Sequence, residues 1–214
     1  MKKVICYLVK SLARILLRLF YGLKIYGVKH FVDGGAIIAS NHVSFLDPPI
    51  VAASAPCSVH FLARDTLFRN PVFGGAIRVL NAHPISGKAG DVALFRIMTA
   101  LLKEGKKVIL FPEGTRSFDG ELQEVRPGIG MLVAKSEAAI IPTYIAGAYK
   151  AWSRNRTIPR IFCRISCVFG SPIFWSDFDH LDRKEAKRAI VAKYDAAMHE
   201  LKAWYESGAK GSPP

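Results

Sequence analysis

Residues 107–117 read Lys-Val-Ile-Leu-Phe-Pro-Glu-Gly-Thr-Arg-Ser (KVILFPEGTRS). The first part, Lys107 to Phe111, is a short apolar run rich in β-branched and aromatic residues, the pattern of a strand covered on both faces. Pro112, which has no N–H for a sheet ladder, marks its exit. Outward from this stretch, similar runs recur at Ala36–Ser40, Ser58–Ala63, Ile140–Ile145 and Ile161–Phe169. Asn81–Ser86 reads as a further strand, and Pro84 places it at an edge or makes it irregular. Helical stretches lie between them. Asp91–Lys103 carries Ala93, Ile97, Ala100 and Leu101 on one side and stops at Gly105; Gly128–Glu137 and the long Asp182–Tyr205 follow. Asp47-Pro48-Pro49 is a helix start, with Asp suited to the N-cap and Pro to the first helical position. Strands alternating with helices predict an α/β chain: a single layered domain whose central, mostly buried sheet is flanked by helices.

The chain has 214 residues, half of them apolar, which suits one generous domain and excludes wholesale disorder. Thirty Lys and Arg against 17 Asp and Glu leave +13, which favours anionic partners. Seven of those cations (Lys2, Lys3, Lys10, Arg14, Arg18, Lys24 and Lys29) precede the first acid, Asp33. Residues 2–21 contain no Gly or Pro and have helical periodicity. Lys3, Lys10, Arg14 and Arg18 form one stripe, and Val4, Leu8, Leu12, Ile15, Leu16, Leu19 and Phe20 cover the other side. Cations at 10, 14 and 18 interrupt a signal-peptide core and make a spanning helix costly. An amphipathic helix lying on a membrane surface fits best, its apolar face among acyl chains and its cations on anionic headgroups. A terminal helix packed on the body, with solvated charges, is the alternative. The expected organisation is therefore a membrane-docking segment 1–26, a domain 27–206 and a disordered tail 207–214. The four scattered cysteines (Cys6, Cys57, Cys163, Cys167) read as small hydrophobes in a reducing compartment.

Three short blocks sit where strands end, the edge at which α/β sheets usually bind ligands. In Asn41-His42-Val43-Ser44-Phe45-Leu46-Asp47, a His and an Asp five residues apart can form a base and its orienting carboxylate if the intervening segment is a turn. In isolation, a loop His and a helix N-cap are the favoured reading of the same two residues, since such pairs arise by chance. In Phe111-Pro112-Glu113-Gly114-Thr115-Arg116-Ser117, a Gly-centred turn leaves backbone N–H groups exposed and Arg116 offers a planar fork for phosphate oxygens. Glu113 could orient that Arg or accept from a substrate hydroxyl; a polar turn with a surface ion pair is the plainer reading. Ile141-Pro142-Thr143, preceded by Arg126-Pro127-Gly128, is by itself only a strand start after a helix.

In order and content, these blocks resemble the glycerophospholipid acyltransferase family, which includes 1-acylglycerol-3-phosphate acyltransferases. The resemblance spans residues 36–147, with intact NHxSxxD and FPEGTRS blocks about 65 residues apart. It implies that His42 is the general base, Asp47 its orienting partner, and Glu113, Gly114, Thr115 and Arg116 the binding site for the acceptor's phosphate; Lys88 or Arg126, as nearby cations, are expected to help Arg116 hold it. One departure stands out: Pro84-Ile85-Ser86-Gly87-Lys88 has Gly87 where many members carry Arg, and Lys88 supplies only a point charge.

The implied reaction moves a fatty acyl group from acyl-CoA or acyl-carrier protein to a lysophosphatidic acid-like acceptor, giving phosphatidic acid. It needs no bound cofactor or metal, and acyl-carrier protein is a partner where it is the donor. Backbone N–H groups in the turn after Asn41 are the candidate oxyanion donors. The expected setting is the cytoplasmic face of a membrane, peripheral or monotopic, with anionic lipids as partners and no nucleic acid. The rival readings are a different lysolipid acceptor, a non-enzymatic basic protein binding membrane or nucleic acid, and a metal hydrolase built from His42, Asp47, His83 and Glu113. The last lacks metal-ligand spacing.

Overall fold

A computed structural model describes residues 2–85 and 92–214. Helix α1 (Lys2–Tyr21) is followed by β1 (Lys24–Tyr26), β2 (Ala36–Ser40), α2 (Asp47–Ser54) and β3 (Val59–Arg64). Then come α3 (Pro71–Val79), β4 (Ala82–Ile85), α4 (Val92–Lys103), β5 (Lys107–Leu110) and α5 (Gly128–Ser136). The chain ends with β6 (Ala139–Ala146), the short α6 (Ala148–Trp152), β7 (Ser166–Phe169) and the long α7 (Arg183–Glu206).

The apolar runs form the centre of a seven-stranded sheet ordered β1-β7-β6-β2-β5-β3-β4. Pairing is parallel except between β6 and β7. Strand β2 is fully buried, with Ile37 between Val108 of β5 and Ile140 of β6. Its side chains alternate between faces. Ile38 enters a core with Leu17 of α1, Ile50 of α2 and Ile77 of α3, whereas Ile37 joins Met98 of α4, Leu132 of α5 and Ile190 of α7. With both faces covered, uninterrupted hydrophobic strands are what the architecture requires. Among the described residues β4 pairs only with β3, and Pro84 sits on that edge as expected. Parallel strands β2 and β5 therefore end side by side, delivering the NHxSxxD and FPEGTRS blocks to the same sheet edge.

Helix α1 packs in a way its periodicity left open. It turns its basic stripe inward. Arg14 Nε donates to the Ala53 carbonyl at 2.6 Å and Lys10 Nζ to that of Cys57 at 2.7 Å, and both side chains also reach the Ala55 carbonyl. These carbonyls lie at and just beyond the C-terminus of α2, where helical carbonyls lack partners and the dipole favours cations. Lys10 and Arg14 are thus committed to the protein rather than to headgroups, while Arg18 is exposed. The apolar side faces outward: Val4, Leu8, Leu12, Ile15 and Leu19 are each more than half exposed.

Several other expectations need correction. Residues 24–26, assigned to a docking segment, form the edge strand β1 against β7. Residues 207–214, expected to be disordered, carry no helix or strand but are held: the Pro214 carbonyl accepts from Ser171 N–H, Lys210 from the Trp204 indole, and Pro213 is buried. Asp47 is the first residue of α2 rather than its N-cap, which is Leu46. Lys88 and Gly87 lie outside the described residues. Among the described residues no helix is long and apolar enough to cross a membrane.

Candidate active site

Strand β2 ends at Ser40, and the side chain of Asn41 continues its ladder. Asn41 Nδ2 donates to the Ile145 carbonyl at 3.1 Å and its Oδ1 accepts from Ile145 N–H at 2.7 Å, a copy of a backbone pair. The next residue is thereby fixed at the sheet edge. The His42 ring lies against Phe111, centroids 4.1 Å apart and planes 21° from parallel. Its Nδ1 is 2.7 Å from Asp47 Oδ2.

Asp47 is completely buried. The backbone N–H groups of Val43 and Ser44 also donate to its Oδ2, each at 2.7 Å, so the carboxylate folds residues 43–47 into the turn that the dyad requires. Burial pushes its pKa up, and the bonds from His42, Ser44 and Val43 pull it back down. With two backbone N–H groups already on Oδ2, the proton shared with the imidazole is best placed on Nδ1. That leaves Nε2 as the basic nitrogen.

The turn is braced from outside. Ser44 Oγ donates to the Trp152 carbonyl at 2.8 Å, and Phe45 N–H donates to the same oxygen at 3.1 Å. Ser117 N–H donates to the His42 carbonyl at 2.7 Å, tying the two blocks together. The backbone N–H groups proposed as oxyanion donors are all spoken for: those of Val43 and Ser44 serve Asp47, and that of His42 serves Glu113 Oε2 at 3.2 Å.

Glu113 does not line the cavity that Gly114, Thr115 and Arg116 line. Its side chain is buried and turns toward the His42 backbone. Burial pushes its pKa up to about 7, against the opposing pull of the His42 N–H. Gly114 follows at φ 73°, where a Cβ would lie 2.7 Å from Arg126 Nε, so only glycine fits without displacing that side chain. Arg126 in turn donates from Nε to the Glu113 carbonyl at 3.1 Å and from its backbone to Pro112. It lines the cavity while bracing the loop.

His42, Gly114, Thr115, Arg116 and Arg126 all open on one cavity of about 830 Å³. The Arg116 guanidinium rests 3.5 Å from the centroid of the Phe45 ring, and its Nη1 is buried without a hydrogen-bond partner among the described residues. Burial, then the charges of Arg154 and Arg64, lowers its pKa. Arg64, at the end of β3, also lines this cavity, and sequence reasoning passed over it. A lone Arg closing a strand has no motif around it; only its place on the same sheet edge as His42 could have drawn notice. Deeper walls are apolar, with Leu62, Phe95, Met98, Ile109 and Leu132. The arrangement can bind an anionic group at its mouth, remove a hydroxyl proton there and shelter an alkyl chain behind. His83, which the metal-hydrolase reading groups with His42, instead pairs with His60 at 3.0 Å across β3 and β4.

The model of the acyltransferase family matches residues 22–146, more than half of the chain. This chain belongs to the acyltransferase family. The acyltransferase is 26% identical over 190 residues to the 1-acyl-sn-glycerol-3-phosphate acyltransferase of Bacillus subtilis, covering 88% of this chain and 92% of that one. It is 32% identical over 193 residues to the chloroplastic 1-acyl-sn-glycerol-3-phosphate acyltransferase of Arabidopsis thaliana, covering 88% of this chain but 54% of that longer protein. The 1-acyl-sn-glycerophosphate (LPA) acyltransferase PlsC from Thermotoga maritima shares the fold, with a TM-score of 0.71 at 21% identity over 91% of this acyltransferase and 80% of that chain.

Proposed function

We propose that this acyltransferase moves a fatty acyl group from acyl-CoA or acyl-carrier protein to the free hydroxyl of 1-acylglycerol-3-phosphate, forming phosphatidic acid in phospholipid synthesis. The observation that carries the reading is the His42–Asp47 pair beside the cavity where Arg116 presents a buried donor with no partner among the described residues. In the proposed step, His42 Nε2 takes the proton of the acceptor hydroxyl as its oxygen attacks the thioester carbonyl carbon. Asp47 stabilises the imidazolium that forms. The carbon–sulfur bond then breaks, and the departing thiolate recovers the proton from Nε2. A thioester already has a good leaving group, so no acyl-enzyme is required. Arg116, with Arg64 and Arg126 lining the same cavity, holds the acceptor's phosphate and so brings its hydroxyl to Nε2.

The reading places the enzyme at the cytoplasmic face of a membrane, peripheral or monotopic, with anionic lipids beneath it. Its support is the outward apolar face of α1, which the body leaves uncovered. A second reading keeps the chemistry but changes the acceptor's headgroup; it is favoured by Gly87, which stands where many family members carry Arg. An acyl-transfer assay with a panel of lysolipids and both donor types tests these readings. Preferential acylation of lysophosphatidic acid supports the first, and preference for another lysolipid replaces it with the second. No transfer to any lysolipid would overturn both.

A further inference from the structure

Between Glu137 and Asp177 the sequence has no acid but five cations: Lys150, Arg154, Arg156, Arg160 and Arg164. Four of them fall in residues 153–165, which connect α6 to β7 without helix or strand. This connection presents apolar side chains to the outside. Ile158 and Phe162 are each 76% exposed and Ile161 is 47% exposed.

Phe162 is held at φ 61°, a left-handed conformation that bulky residues rarely adopt. The strain has an identifiable anchor. Phe162 N–H donates to the carbonyl of Phe20 at 2.8 Å, and Ile165 N–H to that of Tyr21 at 3.0 Å. The connection is thus stitched to the last turn of α1, beside the outward-facing Leu16, Leu19 and Phe20. Internal bonds stiffen it: Arg156 N–H to the Ser153 carbonyl, Arg160 N–H to that of Ala151, and the Trp152 indole to that of Arg156. Exposed aromatic and aliphatic tips interleaved with arginines, on a braced loop continuous with an exposed apolar helix, suit an anionic bilayer. Arg160 and Arg164 also share a groove with Lys150; its one carboxylate, Glu206, is paired with Lys202 at 3.1 Å.

We propose that residues 153–165 are a second membrane-contact element, inserting Ile158, Ile161 and Phe162 into an anionic bilayer alongside α1. The inference rests on the membrane-surface reading and adds a partner contact to it. It also links docking to the site. Trp152, at the root of the connection, holds Ser44 and Phe45 through its carbonyl, and Arg154 Nη1 donates to the Arg116 carbonyl at 3.1 Å. Seating the loop on a bilayer therefore orients the cavity mouth toward acceptor held in the same membrane.

The test is partition of the full chain onto phosphatidylglycerol/phosphatidylcholine vesicles and onto phosphatidylcholine vesicles. Wild type is compared with the double variant Ile158→Ser/Phe162→Gly, whose glycine also relieves the left-handed strain. Partition of the variant onto the anionic vesicles should fall at least tenfold, about 1.4 kcal/mol. Turnover of a short-chain, water-soluble acceptor should stay within twofold. Wild-type-like partition of the variant overturns the loop assignment alone. Failure of wild type to bind anionic vesicles overturns it together with the membrane reading. Should the double variant not fold, Phe162→Trp answers the question: its fluorescence should be quenched by brominated acyl chains more than that of wild type. Equal quenching refutes insertion.

Discussion

Replacing Asp47 by Asn separates the charge of the dyad from its shape. The amide can still offer one oxygen to the Val43, Ser44 and His42 donors, so the turn should persist. What disappears is the negative charge facing the imidazolium of the proposed transition state. Two unit charges about 4 Å apart at an effective dielectric near 20 attract by about 4 kcal/mol. Losing that attraction lowers kcat by about a thousandfold. Stability moves far less. Burial raises the Asp47 pKa, so the ionised side chain costs stability above the ordinary carboxylate range, and a neutral amide removes that cost. Against this, the amide nitrogen takes the place of Asp47 Oδ1, which is buried without a partner among the described residues, and an unsatisfied buried donor costs about 1–3 kcal/mol. The two effects oppose each other, leaving the melting temperature within about 6 °C of wild type. Thermal melts at pH 7.5 and steady-state acyl transfer read both quantities. A folded Asp47→Asn variant with kcat within tenfold of wild type would refute the electrostatic role of the carboxylate.

Arg116→Ala should raise the acceptor KM at least tenfold and lower kcat much less, with little effect on an acceptor lacking phosphate; equal losses for both acceptors would contradict phosphate binding there. Glu113, raised from 4.5 to about 7, binds its proton more tightly in the folded state, so that stabilisation is complete below pH 4.5 and is lost as pH rises through 7. Glu113→Gln should therefore gain stability relative to wild type across that window, by about 3 kcal/mol at most; melts at pH 5 and 8.5 that show the same difference would contradict it. Lys10→Ala combined with Arg14→Ala frees the carbonyls of Ala53, Ala55 and Cys57 and should cost about 1–3 kcal/mol in urea unfolding; unchanged stability would mean that the two cations do not anchor α1.

The sheet centre was legible because strands covered on both faces must be apolar along most of their length, as residues 36–39 and 108–111 are, with the polar Ser40 and Lys107 at the strand ends. The His42–Asp47 pair was legible only as two residues; the turn joining them depends on Val43 and Ser44 N–H groups, which every residue type but proline carries. Helix α3 escaped notice because Gly74 and Gly75 disfavour helices. Gly74 is needed there since a Cβ would approach the Phe68 carbonyl to 2.7 Å. Strand β1 is three residues long, too short to show any period. The periodicity of α1 separated its two faces correctly but not which one meets the protein. Long cationic stems carry their charge to carbonyls two helices can share, so a basic stripe is as able to dock inward as to remain in solvent. Glu113 looked like a substrate ligand because its motif neighbours are polar; its burial arises from the crossing of two loops distant in sequence.

Transfer from acyl-CoA to vesicle-borne lysophosphatidic acid by His42→Ala, assayed beside vesicle binding and a thermal melt, probes the proposed base directly. Turnover should drop by about 10²–10⁴, while vesicle binding and melting temperature stay at wild-type values. Turnover within tenfold of wild type would show that another group takes the hydroxyl proton.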